Sequence, residues 1–462
     1  MNSTITRLSN LHLFTRRPLG LRVSRLIGLV LALGLMAGLA TLILAGMAQA
    51  RPIGPSGNPV PDFQPASQVQ AAAMTYTFYY GGDADFCDSN GCTLRGAINA
   101  ANANPGADTI VSAAFTHNII LGSTLIISDD VTIDGSGGDV TINGNNSVQV
   151  MLVNSGKTLN LNAVTIANGR SSFFDFGGGI HNSGTLNVTN STFVSNESDA
   201  GGGIYNNTGS TLTVTSSSFV SNTAAAEGGG IGNDGTLNVT NSTFTGNTAG
   251  NGGGGIFTYR GTLDVTNSTF LSNTGSYGGG IVMASGMLTV TNSTFDRNLA
   301  TGSGSFGGGA IYLYNGFGTP TVLLTNVTFA NNDAPNVAGR DGIFLSSVGS
   351  LTLRNVLLSN NGTENCANTG GTLNTDAFSM SSDATCGSAT QKTVGEINLG
   401  PLADNGGSTQ TMALPLDSAA IDAGDNTVCP ATDQRGVTRP QGGQCDVGAF
   451  EVVKVNLPVI LK

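Results

Sequence analysis

The chain has 462 residues, 67 of them glycine, a net charge of −11 and only 10% charged side chains, where an average globular domain has roughly 25%. The acidic balance argues against nucleic acid and anionic membrane surfaces as partners. A hydrophobic content of 39% argues against disorder.

Residues 1–50 read as an export segment. Arg7, Arg16, Arg17, Arg22 and Arg25 precede an apolar run from Leu26 to Ala48, which ends in the A-x-A signal Ala48-Gln49-Ala50. The run is longer than an ordinary signal-peptide core, so two readings stand. One is a cleaved signal peptide, taken here as the expectation, with no membrane span left afterwards; the other is a retained anchor. Either places the remainder outside the cytoplasm, secreted or on the cell surface. Residues 51–73, rich in Pro, Gln, Ala and Ser, read as a flexible linker.

Residues 74–108 read as an N-terminal cap. Six cysteines fall into three near pairs, Cys87/Cys92, Cys366/Cys386 and Cys429/Cys445. An even count in an exported chain suits disulfides. Local pairing is the expectation because each pair brackets one loop, although other connectivities are formally open. No C-x-x-C pair occurs and histidine is scarce, so zinc is not expected. From Cys92 the chain reads CTLRGAINAAN, which puts Leu94, Ala97, Ile98 and Ala101 on one face of a short helix that Thr93 can cap. The phrase resembles the Cys-Ser-Leu-Arg-Glu-Ala-Ile opening of many bacterial surface β-helix proteins, with Thr93 in place of Ser and Gly96 in place of Glu. Such a helix would cover the exposed strand edges at the end of a solenoid.

Residues 109–361 carry the repeat. After irregular early copies, Phe193, Phe219, Phe244, Phe270 and Phe295 follow one another at intervals of 26, 25, 26 and 25 residues, and Phe329 comes 34 later. Ile180, Ile204, Ile231, Ile256, Ile281 and Ile311 keep nearly the same period, which signals a solenoid, propeller or array. Within a copy, Leu-x-Val alternates with period two, as in Leu186-Asn187-Val188, and so reads as a strand with one buried face. A short Thr-Phe strand, a turn at Asn196 or its equivalents, a glycine run and the Ile strand complete the copy. A propeller blade needs roughly 40–45 residues, and hairpin turns are not systematic. The expected fold is therefore all-β: a single-stranded right-handed parallel β-helix, a pectin-lyase-like solenoid, with Phe stacked on Phe and Ile on Ile. Asn190, Asn241, Asn267, Asn292 and Asn326 fall in register at a bend, where left-handed backbone and a coil-to-coil amide ladder are expected. Several also read as N-x-S/T acceptors, a pattern the ladder accounts for as a whole. The GGGI and FxxN phrases resemble the repeats of polymorphic outer-membrane proteins.

Residues 362–389 form an irregular, cysteine-bracketed segment. Residues 390–451, with GPLADNGGSTQTMALPLDSAAIDAGD and DQRGVTRPQGGQCDVGAFE, are similar to the choice-of-anchor Q domain that ends many secreted bacterial β-helix proteins, and are expected to cap the solenoid. Residues 452–462 are a short tail. Together these resemblances imply an exported bacterial surface protein and leave its activity open.

Two function classes follow. A polysaccharide lyase or hydrolase needs clustered carboxylates, or Arg/Lys beside calcium-binding acids. Asp175, Asp199, Asp234, Asp264, Asp296 and Asp341, with Arg260, Arg297 and Arg340, place no two acids in one register of adjacent copies. Asp296 and Arg297 read as solvated turn residues, and His181 as an outward residue without an orienting partner. No catalytic residue and no cofactor is therefore expected. Calcium has only the fragments Asp83-x-Asp85, Asp88-x-Asn90 and Asp422/Asp425, without EF-hand spacing. A non-catalytic adhesin or glycan-binding protein needs a recognition surface instead. The register after the inward Ile carries Tyr205, Phe257, Tyr312 and Phe344, with Tyr259, Tyr314 and Phe317 nearby, and is expected to form an exposed aromatic strip for sugar rings or a partner protein. A third reading, a structural spacer, would show neither strip nor groove.

Overall fold

The computed structural model describes residues 72–171, 176–304, 306–316, 318–337, 339–346 and 349–454. The export segment, most of the linker, Asp175, Phe317 and the tail from residue 455 lie outside these.

Each repeat forms one turn of a right-handed parallel β-solenoid of about ten turns. Period-two alternation turns Leu186 and Val188 inward and leaves Asn187 outside, and the next copy repeats the pattern in register, Leu186 on Leu212 and Val188 on Val214. Three long sheets result. The Leu/Val sheet has fourteen strands, counting those of the N-terminal cap; the Phe sheet has twelve and the Ile sheet ten. A fourth sheet of five short strands, such as Glu197–Ala200 and Thr223–Glu227, lies between the Phe and Ile strands of the middle coils. The sequence suggested three strands per coil. The fourth was hidden because its residues, mostly Ala, Thr and Gly, carry no periodic apolar signal.

The Phe column is a continuous stack. From Phe193 to Phe270 the ring centroids are 4.8 Å apart with planes within 5° of parallel. Ile166 stands one coil earlier, in register with Phe193. The last glycine of each run has a reason to be glycine. A Cβ on Gly203, Gly230 or Gly255 would sit 3.0 Å from the Phe ring of its own coil and 2.6 Å from a carbonyl oxygen of the next. The equivalent residue in the coil of Phe329 is Ala310, and there the stack tilts by 22°.

The corner asparagines take the expected left-handed backbone, with φ between 46° and 51° at Asn190, Asn241, Asn267, Asn292 and Asn326. Their amides bond coil to coil only towards the ends of the column, Asn190 Nδ2 to Asn162 Oδ1 at 3.2 Å and Asn355 Nδ2 to Asn326 Oδ1 at 3.3 Å, and form no continuous ladder between. Asn190 is exposed, and the serine that follows Asn190, Asn241, Asn267 and Asn292 takes the inward polar role, as where the Ser191 N–H donates to Ser217 Oγ at 3.1 Å. The continuous amide ladder runs one bend further on, through Asn196, Asn222, Asn247, Asn273, Asn298, Asn332 and Asn361, all buried. In it Asn222 Nδ2 donates to Asn247 Oδ1 at 2.9 Å and to the Phe193 carbonyl at 2.9 Å, and its backbone N–H donates to the same Oδ1 at 3.0 Å. The physical difference is position within the bend: Asn190 is itself the left-handed residue and points away from the axis, whereas Asn196 follows the left-handed, exposed Ser195 and points in, where its amide can satisfy two coils at once.

The N-terminal helix spans Leu94–Ala103, capped by Thr93, whose Oγ1 accepts from Gly96 N at 3.1 Å. It buries Leu94, Ala97, Ile98 and Ala101 as expected. At Gly96 a Cβ would lie 2.0 Å from the Phe86 carbonyl oxygen. The three disulfides join the local pairs, Cys87–Cys92, Cys366–Cys386 and Cys429–Cys445.

The C-terminal residues follow a different course from the expected end cap: they pack along the flank of the later coils. Thr409 Oγ1 donates to the Asn267 carbonyl, Asn292 Nδ2 to the Thr432 carbonyl, and Asn326 Nδ2 to the Asp446 and Gly448 carbonyls. The corner column thus runs from exposed at Asn190 to fully buried at Asn326 and Asn355. In the later coils those asparagines are the rail on which the C-terminal segment docks. That segment is held by buried ion pairs, Arg439 with Glu451 at 3.0 Å and Arg435 with Asp433 at 2.7 Å, and Arg435 lies over the Phe450 ring.

Candidate functional site

The residues beside each inward Ile do line up outside the tube. His181, Tyr205, Gly232, Phe257, Val282, Tyr312 and Phe344 occupy one register of the Ile sheet. They do not form an exposed strip. Phe257, Tyr312 and Phe344 are 1–3% exposed and build a second apolar cluster with Val282 and Ala284. The cause is the glycine runs, which fold back over the sheet: a Cβ on Gly252 would lie 2.9 Å from Phe257, and one on Gly278 would lie 2.8 Å from Val282. Tyr277 and Phe306 pack over the cluster from outside, and Arg340 covers the Phe344 ring at 4.4 Å. The aromatics of the later coils are therefore a core under a lid of loops. Phe317 lies outside the described residues.

What stays half-exposed is the earlier part of the same face, and it is chemically richer than a strip. Gly232 leaves a gap in the column. The Tyr205 ring leans into it and its hydroxyl donates to Asp234 Oδ2 at 2.7 Å. The next outward register holds Asp234, Tyr259, Ala284 and Tyr314, and Tyr314 packs beside the small Ala284. Arg260 lies over the Tyr259 ring at 5.5 Å. Glu227 enters from the end of the strand Thr223–Glu227, its Cα beside Gly252. Burial, then the charge of Asp234, pushes the Glu227 carboxyl above its ordinary value. Burial likewise raises Asp234, against the pull of Tyr205 and Arg260. Burial raises the phenols of Tyr205 and Tyr314 strongly, and nearby carboxylates add to it. Two carboxyls thus flank the strand Ile231–Asn233 in the chain, and that of Asp234 accepts from the Tyr205 hydroxyl.

Glu227 was missed in the sequence because acids were compared by register, and it lies on the unrecognised fourth strand. Its signal was AAAEGGGI, an acid placed directly before a glycine run. Asp296 and Asp341 are otherwise engaged. Asp296, expected to be solvated, is 1% exposed, paired with Arg297 at 2.7 Å and bonded by Asn331. Asp341 is buried and accepts from Ala334 N, Thr363 N, Thr363 Oγ1 and Glu364 N. His181 packs edge-on against Tyr205.

Among the described residues no group of three or more His, Cys, Asp or Glu is placed to hold a metal ion. Of the calcium fragments, Asp83 is clamped by Arg95, Asp88 caps Asn90 N, Asp425 caps Thr427 N and Asp422 pairs with Lys454. A cavity of about 470 Å³ lies between Ala330, Asn331, Ser359 and Asn360 of the Phe sheet and Val394, Pro401 and Met412 of the C-terminal segment, without a titratable side chain. No helix of the described residues is long and apolar enough to cross a membrane.

A family model described as a right handed beta helix region matches residues 227–379. No curated protein and no solved structure matches the chain. The family match and the geometry agree on a right-handed β-helix repeat protein.

Proposed function

We propose that this β-helix is an exported, non-catalytic binding protein of a bacterial surface, and that it holds a glycan against the patch of Tyr205, Glu227, Asp234, Tyr259 and Tyr314. The observation that carries the reading is the gathering of half-exposed tyrosines and carboxyls on one stretch of the Ile sheet, beside aromatics that loops have covered. Tyrosine offers an apolar face to a sugar ring and a polar tip to its hydroxyls, and carboxylates accept from those hydroxyls. A rigid solenoid positions such groups better than loops would. Three disulfides and the basic-then-apolar N-terminus support export. The test is a glycan panel probed with the wild type and with Tyr205→Ala, Tyr259→Ala and Tyr314→Ala combined. Loss of the bound glycans supports the reading, and undiminished binding by the triple variant refutes it.

A second reading, polysaccharide hydrolysis, is favoured by one observation: Glu227 and Asp234 share one patch, and burial raises Glu227 as a general acid requires, with its partner left to act ionised as base or nucleophile. Asp234 is already engaged by Tyr205, which is why binding is placed first. Release of reducing ends from any bound glycan, abolished by Glu227→Gln, would reverse that order.

A further inference from the structure

Resting on the glycan reading, we propose that the ligand is positively charged: an amine-bearing sugar, such as a glucosamine oligomer, whose ammonium group seats on Glu227 among the rings of Tyr205, Tyr259 and Tyr314. The two carboxylates of the patch differ in what surrounds them. Asp234 accepts a hydrogen bond from Tyr205 at 2.7 Å and feels the charge of Arg260. Glu227 makes no side-chain hydrogen bond or ion pair with any described residue, and the charge that bears on its carboxyl is that of another acid, Asp234. It is nevertheless half-buried, with Gly252 and the Phe257 ring behind it. A half-buried carboxylate without a counter-charge costs stability unless a cation arrives, and no described residue supplies one. Tyrosine faces attract an ammonium group through the ring quadrupole, so rings around an acid form a cation seat. The same charges repel uronic acids, which excludes acidic polysaccharides as ligands of this patch.

The test is calorimetric titration of the full chain, in mild detergent, with glucosamine oligomers, N-acetylglucosamine oligomers, galacturonate oligomers and a lysine oligomer. The amine-bearing sugar should bind at least about ten-fold more tightly than its acetylated counterpart, and galacturonate should not bind. Glu227→Gln, a near-isosteric change at a half-exposed position, should lower glucosamine affinity about ten-fold, more than it lowers N-acetylglucosamine affinity, and so erase the preference for the amine. Equal affinity for the two sugars, preference for galacturonate, or a preference that survives Glu227→Gln overturns the charge assignment and leaves glycan binding standing. A lysine oligomer that binds more tightly than glucosamine moves the site to basic peptides and overturns the sugar assignment. No binding of any sugar removes both.

Discussion

Replacing one buried asparagine separates the two asparagine columns. Asn247 donates through Nδ2 to the Phe219 carbonyl and to Asn273 Oδ1, each at 2.9 Å. Its Oδ1 accepts from Asn222 N at 3.0 Å and Asn222 Nδ2 at 2.9 Å. In Asn247→Ala the Asn222 N–H and one hydrogen of Asn222 Nδ2 lose their acceptor inside the wall of the tube, where water does not reach. An orphaned buried polar group costs about 1–3 kcal/mol, so two cost roughly 2–6 kcal/mol. Asn241, at the preceding corner, is half-exposed and left-handed with φ 51°. Asn241→Ala keeps that backbone at a cost of about 1 kcal/mol, and Ala163 already occupies the same conformation with φ 53°. Urea unfolding followed by circular dichroism at unchanged m-value measures both losses. Equal losses, or a loss below about 1 kcal/mol for Asn247→Ala, would refute the inward ladder as the source of stability.

Other expectations follow from the same packing. Gly255→Ala pushes a methyl against the Phe270 ring and should cost about 1–3 kcal/mol in the same unfolding assay, whereas Ala310→Gly should let Phe329 lie parallel to Phe295 in a crystal structure of the variant. Phe257→Ala should lower stability by about 3–5 kcal/mol, as a core residue does; a stable variant that has only lost binding would return Phe257 to the surface. Arg439→Ala leaves Glu451 buried and unpaired and should loosen the C-terminal segment, seen as new proteolytic cuts after residue 390 while the β signal of the solenoid persists. Burial raises the Asp446 carboxyl from 3.8 to about 6, so its protonation favours the folded state. That contribution is complete below the unfolded value and is lost as pH rises through about 6. Between pH 4 and 7 the wild type should therefore lose stability that Asp446→Asn does not lose, and parallel pH profiles would contradict the assignment.

The periodic apolar residues made the solenoid readable, because Phe219 and Ile204 can repeat at one interval only if successive copies stack. Thr93 and the helix it caps were equally legible, since cap and apolar face lie within ten residues. The fates of outward residues were not legible. Tyr312 and Tyr259 look alike in the sequence, yet loops whose paths depend on glycine conformation cover one and leave the other half-exposed. The corner asparagines misled for a related reason: register shows which residues align, while the side-chain direction that separates Asn241 from Asn247 is set by the backbone at each bend. Docking of Thr432 and Asp446 on Asn292 and Asn326 joins residues more than a hundred positions apart, with no repeat to announce it. The Glu227 patch needed both kinds of information, since it combines a non-periodic strand with a gap at Gly232.

Hydrogen exchange with and without bound glucosamine oligomer tests the ligand-facing patch most directly. Protection should concentrate in peptides containing Tyr205, Glu227 to Asp234, Tyr259 and Tyr314, and should vanish in Glu227→Gln. Protection confined to the cavity beside Val394 and Met412, or spread evenly along the coils, would contradict the assignment of this face as the binding site.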